Sequence, residues 1–395
     1  TGSGSDLADA LAGNFTADKT HNGVVKVTGG DYTVTDLVTI NAGNEGGEIH
    51  LVNRTVGLSG SAANVKAALA GSFTANQTHT GVVTLSDNGT TVNATDITAI
   101  ETAKGSGNIN ITNAVALSGT GAKLKSAATA LDTIHGSTTA TVTDTSYTVA
   151  QLKAINDKVG GAITLDNRGV NLVGSAADLK DALAGSFASG ATHTGEVKVT
   201  GTYNVSQLKA INTGTDGALH LANRTVGLSG SASDVKAALA NNFTTDKTHT
   251  GVVTLSDNGT TVNATDITAI ETAKPSGNIN ITNGVALSGT GAKLKSAAEA
   301  LDTIHATTTA TVTDTSYTVA QLKAINDKVG GAITLSTTDV TLSGSAADVK
   351  DALAGSFTSA HNGTVKVTGT YDVTQLKAIN CLLYTSDAAD DNAGV

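Results

Sequence analysis

The chain has no methionine, no tryptophan, one proline and one cysteine in 395 residues, and aromatics make up only 3% of it. A lone Cys381 can form no intrachain disulfide and no cysteine-based zinc site. Hydrophobic content is 39%, supplied almost entirely by Ala, Val, Leu and Ile, which suits thin layers of small side chains better than one bulky core. With no methionine the chain is expected to lack its natural start, and no signal peptide is legible at Thr1. No run approaches the ~18 apolar residues that a membrane helix needs. Lysines are scattered in a chain of net charge −10, with no basic stripe, which argues against nucleic acid as a partner.

What is present is repetition. The stretch 141–156, TVTDTSYTVAQLKAIN, reads as a strand, a turn and a capped helix. Thr148 stands at the N-cap with Gln151 three residues on, the spacing of a capping box. Tyr147 and Leu152 have the spacing of a hydrophobic staple. The same grammar returns at Tyr32-Thr33 with Asp36-Leu37, Tyr203-Asn204 with Gln207-Leu208, Tyr317-Thr318 with Gln321-Leu322 and Tyr371-Asp372 with Gln375-Leu376. Five of the six tyrosines fill this slot. They are expected to be structural staples rather than a row of stacking aromatics for sugars or bases.

A second helix type alternates with the first. In Ser175–Phe187, Ser175 and Asp178 form a Ser-x-x-Asp cap, and Leu179, Leu183 and Phe187 fall on one helical face. All five phenylalanines (Phe15, Phe73, Phe187, Phe243, Phe357) are expected to end this helix type. Further helices are expected over Asn93–Lys104, capped by Asn93 and Asp96, and over a longer Ala-rich Thr120–His135. Caps near Ser61, Asn93, Thr120, Thr148, Ser175, Asn204 and Ser231 lie 27 to 32 residues apart. Residues 80–165 reappear as 250–335 with 81 of 86 positions identical. The changes are Gly105/Pro275, Ala114/Gly284, Thr129/Glu299, Gly136/Ala306 and Ser137/Thr307. That offset of 170 spans six helices, about 28 residues per strand–helix unit and about fourteen units in 1–380.

A unit this short cannot close its own core. Its strand residues Ile163, Leu165, Val170 and Leu172 and its helix stripe Val149, Leu152 and Ile155 need neighbours to cover them. The expected fold class is α/β, an elongated repeat solenoid with a parallel sheet and helices stacked along one side. The alternative is a string of small α+β beads, with short strands paired as hairpins across Asn53-Arg54-Thr55 or Asn167-Arg168-Gly169.

After Asn380 the repeat stops within a helix. Cys381-Leu-Leu-Tyr-Thr-Ser-Asp-Ala-Ala-Asp390 is what TGT CTC TTA TAC ACA TCT GAC GCT GCC GAC encodes, and it looks like a transposase mosaic-end sequencing adapter read in frame. Residues 381–395 are therefore expected to be a non-native tail on a fragment cut at both ends. Residues 1–380 then hold no cysteine and a net charge of −7, because the tail carries Asp387, Asp390 and Asp391.

The phrases at 141–156 and 342–357 (LSGSAADVKDALAGSF) resemble repeats in very large secreted or cell-surface, adhesin-like proteins of bacteria, marine cyanobacteria among them. The resemblance covers essentially all of 1–380. It implies an extracellular or cell-surface location and a structural or adhesive role, and it brings no catalytic residues.

The residues themselves suggest no chemistry. His21, His79, His193, His249 and His361 share a Thr-His-Thr-Gly or His-Asn-Gly turn and are expected to be exposed turn residues rather than a metal ladder. His50 and His220 alternate with Ile and Leu and are expected on a solvent face. Ser86-Asp-Asn-Gly89, Ser256-Asp-Asn-Gly259 and Asp166-Asn167 offer oxygen ligands, yet none supplies the six to eight oxygens calcium takes, so Asx turns are expected. Calcium is the one cofactor these loops leave open. Asn53, Asn88 and Asn204 head Asn-x-Ser/Thr triplets. No Ser-His-Asp set, phosphate loop or unique carboxylate pair breaks the repeat. Catalytic, cofactor-binding and metal residues are therefore expected to be none, and the chain no enzyme. Expected partners are neighbouring repeats, with surface glycans, calcium-bridged matrix or ice as candidates for outward Thr141, Thr143 and Thr164.

Overall fold

The computed structural model describes residues 1–13, 20–188, 190, 192–240 and 242–384. Among these, fourteen helices of 8 to 12 residues alternate with short strands of three or four residues. Inter-residue contacts divide the chain into two units, Thr1–Val197 with Gly214–Gly217, and Lys198–Thr213 with Ala218–Val395.

In the first unit Val25–Val27 pairs in parallel with Ile49–Leu51. Leu58–Gly60 pairs with Val83–Leu85, which pairs with Ile109–Ile111. Thr91–Asn93 begins another ladder through Ala116–Gly119, Thr139–Val142 and Ile163–Leu165. All these pairings are parallel, and a helix lies between each strand and its partner. The hairpin alternative therefore fails. The strands flanking Asn53-Arg54-Thr55 belong to different ladders, one pairing backward to Val25–Val27 and the other forward to Val83–Leu85.

The second unit repeats the plan. Leu228–Gly230, Val253–Leu255 and Ile279–Ile281 form one parallel ladder. Thr261–Asn263, Ala286–Gly289, Thr309–Val312 and Ile333–Leu335 form another, and Leu342–Ser345 pairs with Val365–Thr368. Strand partners lie closer in sequence than successive helix caps do. A ladder therefore drifts along the chain relative to the helices, stops after a few strands, and a new one starts beside a helix N-terminus.

The helices form for the local reasons read from sequence, with three corrections. Capping boxes are present at Thr33, Thr148 and Thr318. Asn204 with Gln207 and Asp372 with Gln375 make the same reciprocal pair of bonds. Ser61, Thr120, Ser175, Ser231 and Ser345 accept from the third helical N–H. Asn93 makes no such bond, because it closes a strand whose ladder holds it, and Asp96 instead pairs with Lys66 at 2.6 Å. The Ala-rich helix covers Gly121–Ala130 and does not reach His135. Asp132 leaves it to accept the Ile109 N–H at 3.0 Å, and Thr133 bridges to Asn110. The Phe-ended helices also stop early. Ala176–Leu183 ends before Gly185, and Phe187, half-buried, forms a parallel bridge with Ile163, as Phe73 does with Ile49, Phe243 with Leu219 and Phe357 with Ile333. Phe15 lies outside the described residues. The last helix, Val373–Tyr384, runs on past Asn380.

Helices of this length are marginal alone, and their ends leave unpaired backbone groups. Neighbouring segments satisfy them. Asp87 accepts the Ala62 N–H, Asp144 the Gly121 N–H, Asp257 the Ala232 N–H and Asp314 the Gly291 N–H. At C-terminal ends, Asn41 donates to the Ala67 carbonyl, Asn156 to Asp181, Asn212 to Ala237 and Asn326 to Asp351, at 2.7 to 2.9 Å. Lys158 and Lys328 donate to the carbonyls of Leu131 and Leu301.

The core is the expected thin layer. Leu37, Ile40, Ile49, Leu51, Val83, Ile97, Ile100, Ile109 and Leu152 are fully buried, as are Ile163, Leu165 and Leu172 nearly so, while Val170 is only half-buried. Segments pass so closely that some glycines admit no side chain. A Cβ on Gly81 would lie 2.3 Å from the Val56 carbonyl oxygen, whereas one on Gly57 would meet nothing within 4 Å. Gly81→Ala is expected to destabilise the fold by about 1–3 kcal/mol, as overpacking does. Gly57→Ala is expected to leave the thermal midpoint unchanged, and equal midpoints for the two variants would refute this packing account.

Candidate functional site

The most elaborate polar arrangement is a lock that recurs along the chain. The Tyr32 hydroxyl donates to the Asn53 carbonyl at 2.9 Å. The next residue, Arg54, donates through Nε to the Thr78 carbonyl at 2.7 Å. The residue after that, His79, meets the Tyr32 ring edge-on with centroids 6.5 Å apart, its Nδ1 3.4 Å from the tyrosine oxygen. Three segments are thus tied by one tyrosine, one arginine and one histidine. Tyr147, Asn167, Arg168, Thr192 and His193 repeat the lock. In the second unit Tyr203 meets His249 and Arg224 bonds the Thr248 carbonyl. Tyr317 bonds the Thr337 carbonyl and meets His361, with Thr338 in the arginine's place.

These tyrosines are buried, with 2 to 4% of their surface exposed, so they cannot present a stacking row for sugars or bases. Burial pushes the hydroxyls of Tyr32, Tyr147 and Tyr317 up to about 12. The expectation of exposed turn histidines fails at four of five positions: His79, His193 and His249 are fully buried and His361 nearly so. The turn holds the ring under the tyrosine instead of in water. His21 alone of the five is exposed, with Nδ1 2.8 Å from Asn44 Oδ1. His193 bonds on both sides, through Nδ1 to the Thr215 hydroxyl at 3.0 Å and through Nε2 to the Val170 carbonyl at 2.6 Å. His50 and His220 sit half-buried between inward Ile and Leu residues, as their alternation suggested.

Two buried cations went unnoticed in the sequence. Lys104 and Lys274 follow the helices Ala94–Ala103 and Ala264–Ala273, and each donates through Nζ to a glycine carbonyl, Gly107 or Gly277. Burial pushes both ammonium groups below their usual range, against the opposing pull of Glu101 and Asp132 or of Glu271 and Asp302. The available sequence signal was a lysine directly after a helix and three residues before a glycine, Gly107 or Gly277, that adopts φ +91°. Each lysine also acts on the neighbouring histidine. Burial foremost, then Lys104, pushes His79 down to about 4, and burial with Lys274 does the same to His249.

The oxygen-rich turns are also engaged. Asp87 and Asp257 cap neighbouring helices. Asn167 accepts the Gly169 N–H in an Asx turn and donates to the Thr145 carbonyl at 2.7 Å. Asn53 makes the same turn with Thr55, and Asn204 caps its helix, while Asn88 is exposed beside Gly89 at φ +64°. Among the described residues no group of three or more His, Cys, Asp or Glu side chains is placed to hold a metal ion.

The sheet faces carry the regular outward feature. Ser118, Thr141 and Thr164 align across three adjacent strands, and Ser288, Thr311 and Thr334 repeat the row. Thr358 extends the second row with a 3.1 Å hydroxyl bond to Thr334. Thr143 lies just beyond its strand and is exposed, whereas Thr141 and Thr164 are half-buried.

The histidines make stability depend on pH. An unfolded histidine titrates near 6.5, whereas folded His79 and His249 titrate at about 4. Between those values the unfolded chain binds more protons, so stability is full above about 6.5 and falls as pH drops toward 4. Chemical denaturation at pH 7 and pH 5 is expected to show this loss. A His79→Leu, His249→Leu double variant is expected to show a smaller one, and equal losses would contradict the burial of neutral imidazoles.

No protein-family model matches the chain, and no curated protein matches it.

Proposed function

We propose that the chain is a structural and adhesive repeat segment of a very large extracellular bacterial surface protein, an elongated β/α solenoid without catalysis. The observation that carries this reading is the recurrence of the Tyr–loop–His lock. Residues that could do chemistry elsewhere here join one segment to the next, several times over and in the same way. An active site is ordinarily one constellation that breaks a repeat, and the five differences between the 86-residue copies fall at exposed or half-buried positions. Residues 381–390 are taken as adapter-encoded, and long-read sequencing of the source locus tests that origin together with the surface-protein context. Small-angle scattering tests the shape. A globular chain of this length has a radius of gyration of about 21 Å. A value well above that is expected, and a value near it would falsify the solenoid.

The hydroxyl rows favour a second reading, a binding array. Side chains in register on adjacent strands repeat every ~4.8 Å, and many weak sites on one scaffold give avidity. Such a face suits glycan, calcium-bridged matrix or ice. Binding to an immobilised glycan panel, with and without calcium, is expected to fall on Thr141→Val plus Thr311→Val if the rows are the contact surface. Binding that is absent throughout, or indifferent to both substitutions, removes the glycan form of this reading.

A further inference from the structure

The locks are closed in two different ways. His193 and His79 each lie beside the residue that directly follows a helix one step further along the chain. That residue is Thr215, after Val205–Gly214, for His193 and Lys104, after Ala94–Ala103, for His79. The two positions are equivalent, because the next amide, Asp216 or Gly105, donates to the histidine's own carbonyl at 2.8 or 2.9 Å. Lys274, after Ala264–Ala273, stands by His249 as Lys104 stands by His79.

Thr215 suits either charge state of its histidine. Its hydroxyl lies 3.0 Å from His193 Nδ1 and 3.0 Å from the His193 carbonyl oxygen. With a neutral ring the hydroxyl proton goes to Nδ1. With a charged ring it goes to the carbonyl, and the hydroxyl oxygen accepts from Nδ1 while the Val170 carbonyl accepts from Nε2 at 2.6 Å. Both protons of the imidazolium then have acceptors. Tyr147 covers the ring, and Arg168, bonded to the Thr192 carbonyl, is 3.9 Å from Asp216.

A lysine ammonium donates and cannot accept. Lys104 and Lys274 spend theirs on glycine carbonyls, which leaves Nδ1 of His79 and His249 only the tyrosine hydroxyl, at 3.4 and 3.3 Å. Nε2 of each is buried without a hydrogen-bond partner. A second ring proton there has no acceptor and sits beside a buried ammonium. Lys104 and Arg54 both oppose a charged His79, and Lys274 opposes a charged His249. The Gly81 and Gly251 backbones pull the other way, less strongly than burial and lysine push. Glu101 and Asp132, or Glu271 and Asp302, act on the lysine. His361 lies between the two kinds: Nε2 reaches the Val340 carbonyl at 2.7 Å and Asp339 draws the ring toward its charged form, but Nδ1 has no partner.

We propose that acid opens the locks selectively, in an order set by the residue after the helix: the Tyr32–His79 and Tyr203–His249 locks, closed by Lys104 and Lys274, open first, while the Tyr147–His193 lock, closed by Thr215, keeps its charged histidine in place. Each unit holds one lysine-closed lock and so loosens at a fixed point before its fold is lost. An opened histidine takes up a proton near 6.5, whereas closed His79 and His249 do so at about 4, so opening becomes easier as pH falls between those values.

Matched amides report on each lock. Thr80 and Gly81 donate to the Arg54 carbonyl, Thr250 and Gly251 to Arg224, and Thr194 and Gly195 to Arg168. Hydrogen exchange of the whole chain, read amide by amide by NMR and corrected for the intrinsic pH dependence of exchange, tests the proposal. Opening at Thr80, Gly81, Thr250 and Gly251 is expected to rise ~20-fold from pH 7 to pH 5. At Thr194 and Gly195 a much smaller rise is expected. Equal rises at all six amides, the mark of one global opening, overturn the proposal, as does no rise at the lysine-closed locks. Lys104→Thr is expected to remove most of the acid response at Thr80 and Gly81 and to leave Thr250 and Gly251 as an unchanged internal reference. Thr215→Lys is expected to confer the response on Thr194 and Gly195. A folded Lys104→Thr variant with the wild-type response at Thr80 counts against the lysine's role, and the wild-type comparison decides the matter if a variant does not fold.

Discussion

Helices of eight to ten residues cannot support themselves, and the structure depends on supplying their ends from neighbours. An isolated helix of this length is barely populated in water, and its terminal N–H and C=O groups have no intrahelical partner. Most of the described helices meet part of that need with their own capping side chain, a serine or threonine at Ser61, Thr148 or Ser175 and an asparagine or aspartate at Asn204 or Asp372. The rest comes from elsewhere in the chain: an aspartate such as Asp87 or Asp144 at the N-terminal end, and an asparagine or lysine such as Asn156 or Lys158 at the C-terminal end. Several of the described helices thus depend on the segments before and after them, which ties the helices of each unit to its parallel ladders.

The same economy of parts accounts for where many of the polar residues go. Tyrosine, arginine and histidine are the usual material of binding pockets. Here Tyr147, Arg168 and His193 join three segments, and the histidine of each inner lock is buried beneath its tyrosine. The near-duplicate blocks show how firm the arrangement is. Gly105 donates its N–H to the His79 carbonyl, and Pro275 at the equivalent position has no N–H to give, yet Lys274 beside it stays buried and the histidine stays under its tyrosine. The hydrogen bonds around the lock are redundant enough to lose one.

Outward surfaces follow from the same register. A ladder that aligns Leu117, Ala140 and Ile163 inward must align Ser118, Thr141 and Thr164 outward, because side chains alternate along a strand. The hydroxyl rows are therefore a geometric consequence of parallel stacking before they are anything else.

The sequence by itself determined the local elements. Capping boxes, serine caps and the Leu and Ile stripes were legible because they depend on residues three or four apart. The parallel class was legible too, because strand and helix alternate too closely for each unit to fold alone. Tertiary structure decided what joins residues twenty or more apart. It took Asp132 away from a helix it could have extended, gave Phe187 to a strand bridge, split the strands around Asn53 between two ladders and buried His79 beside Lys104. A turn motif does not reveal whether its side chain faces water or the segment behind it. That depends on which loop lies one ladder step away, and the step differs from the helix period, so no local pattern carries it.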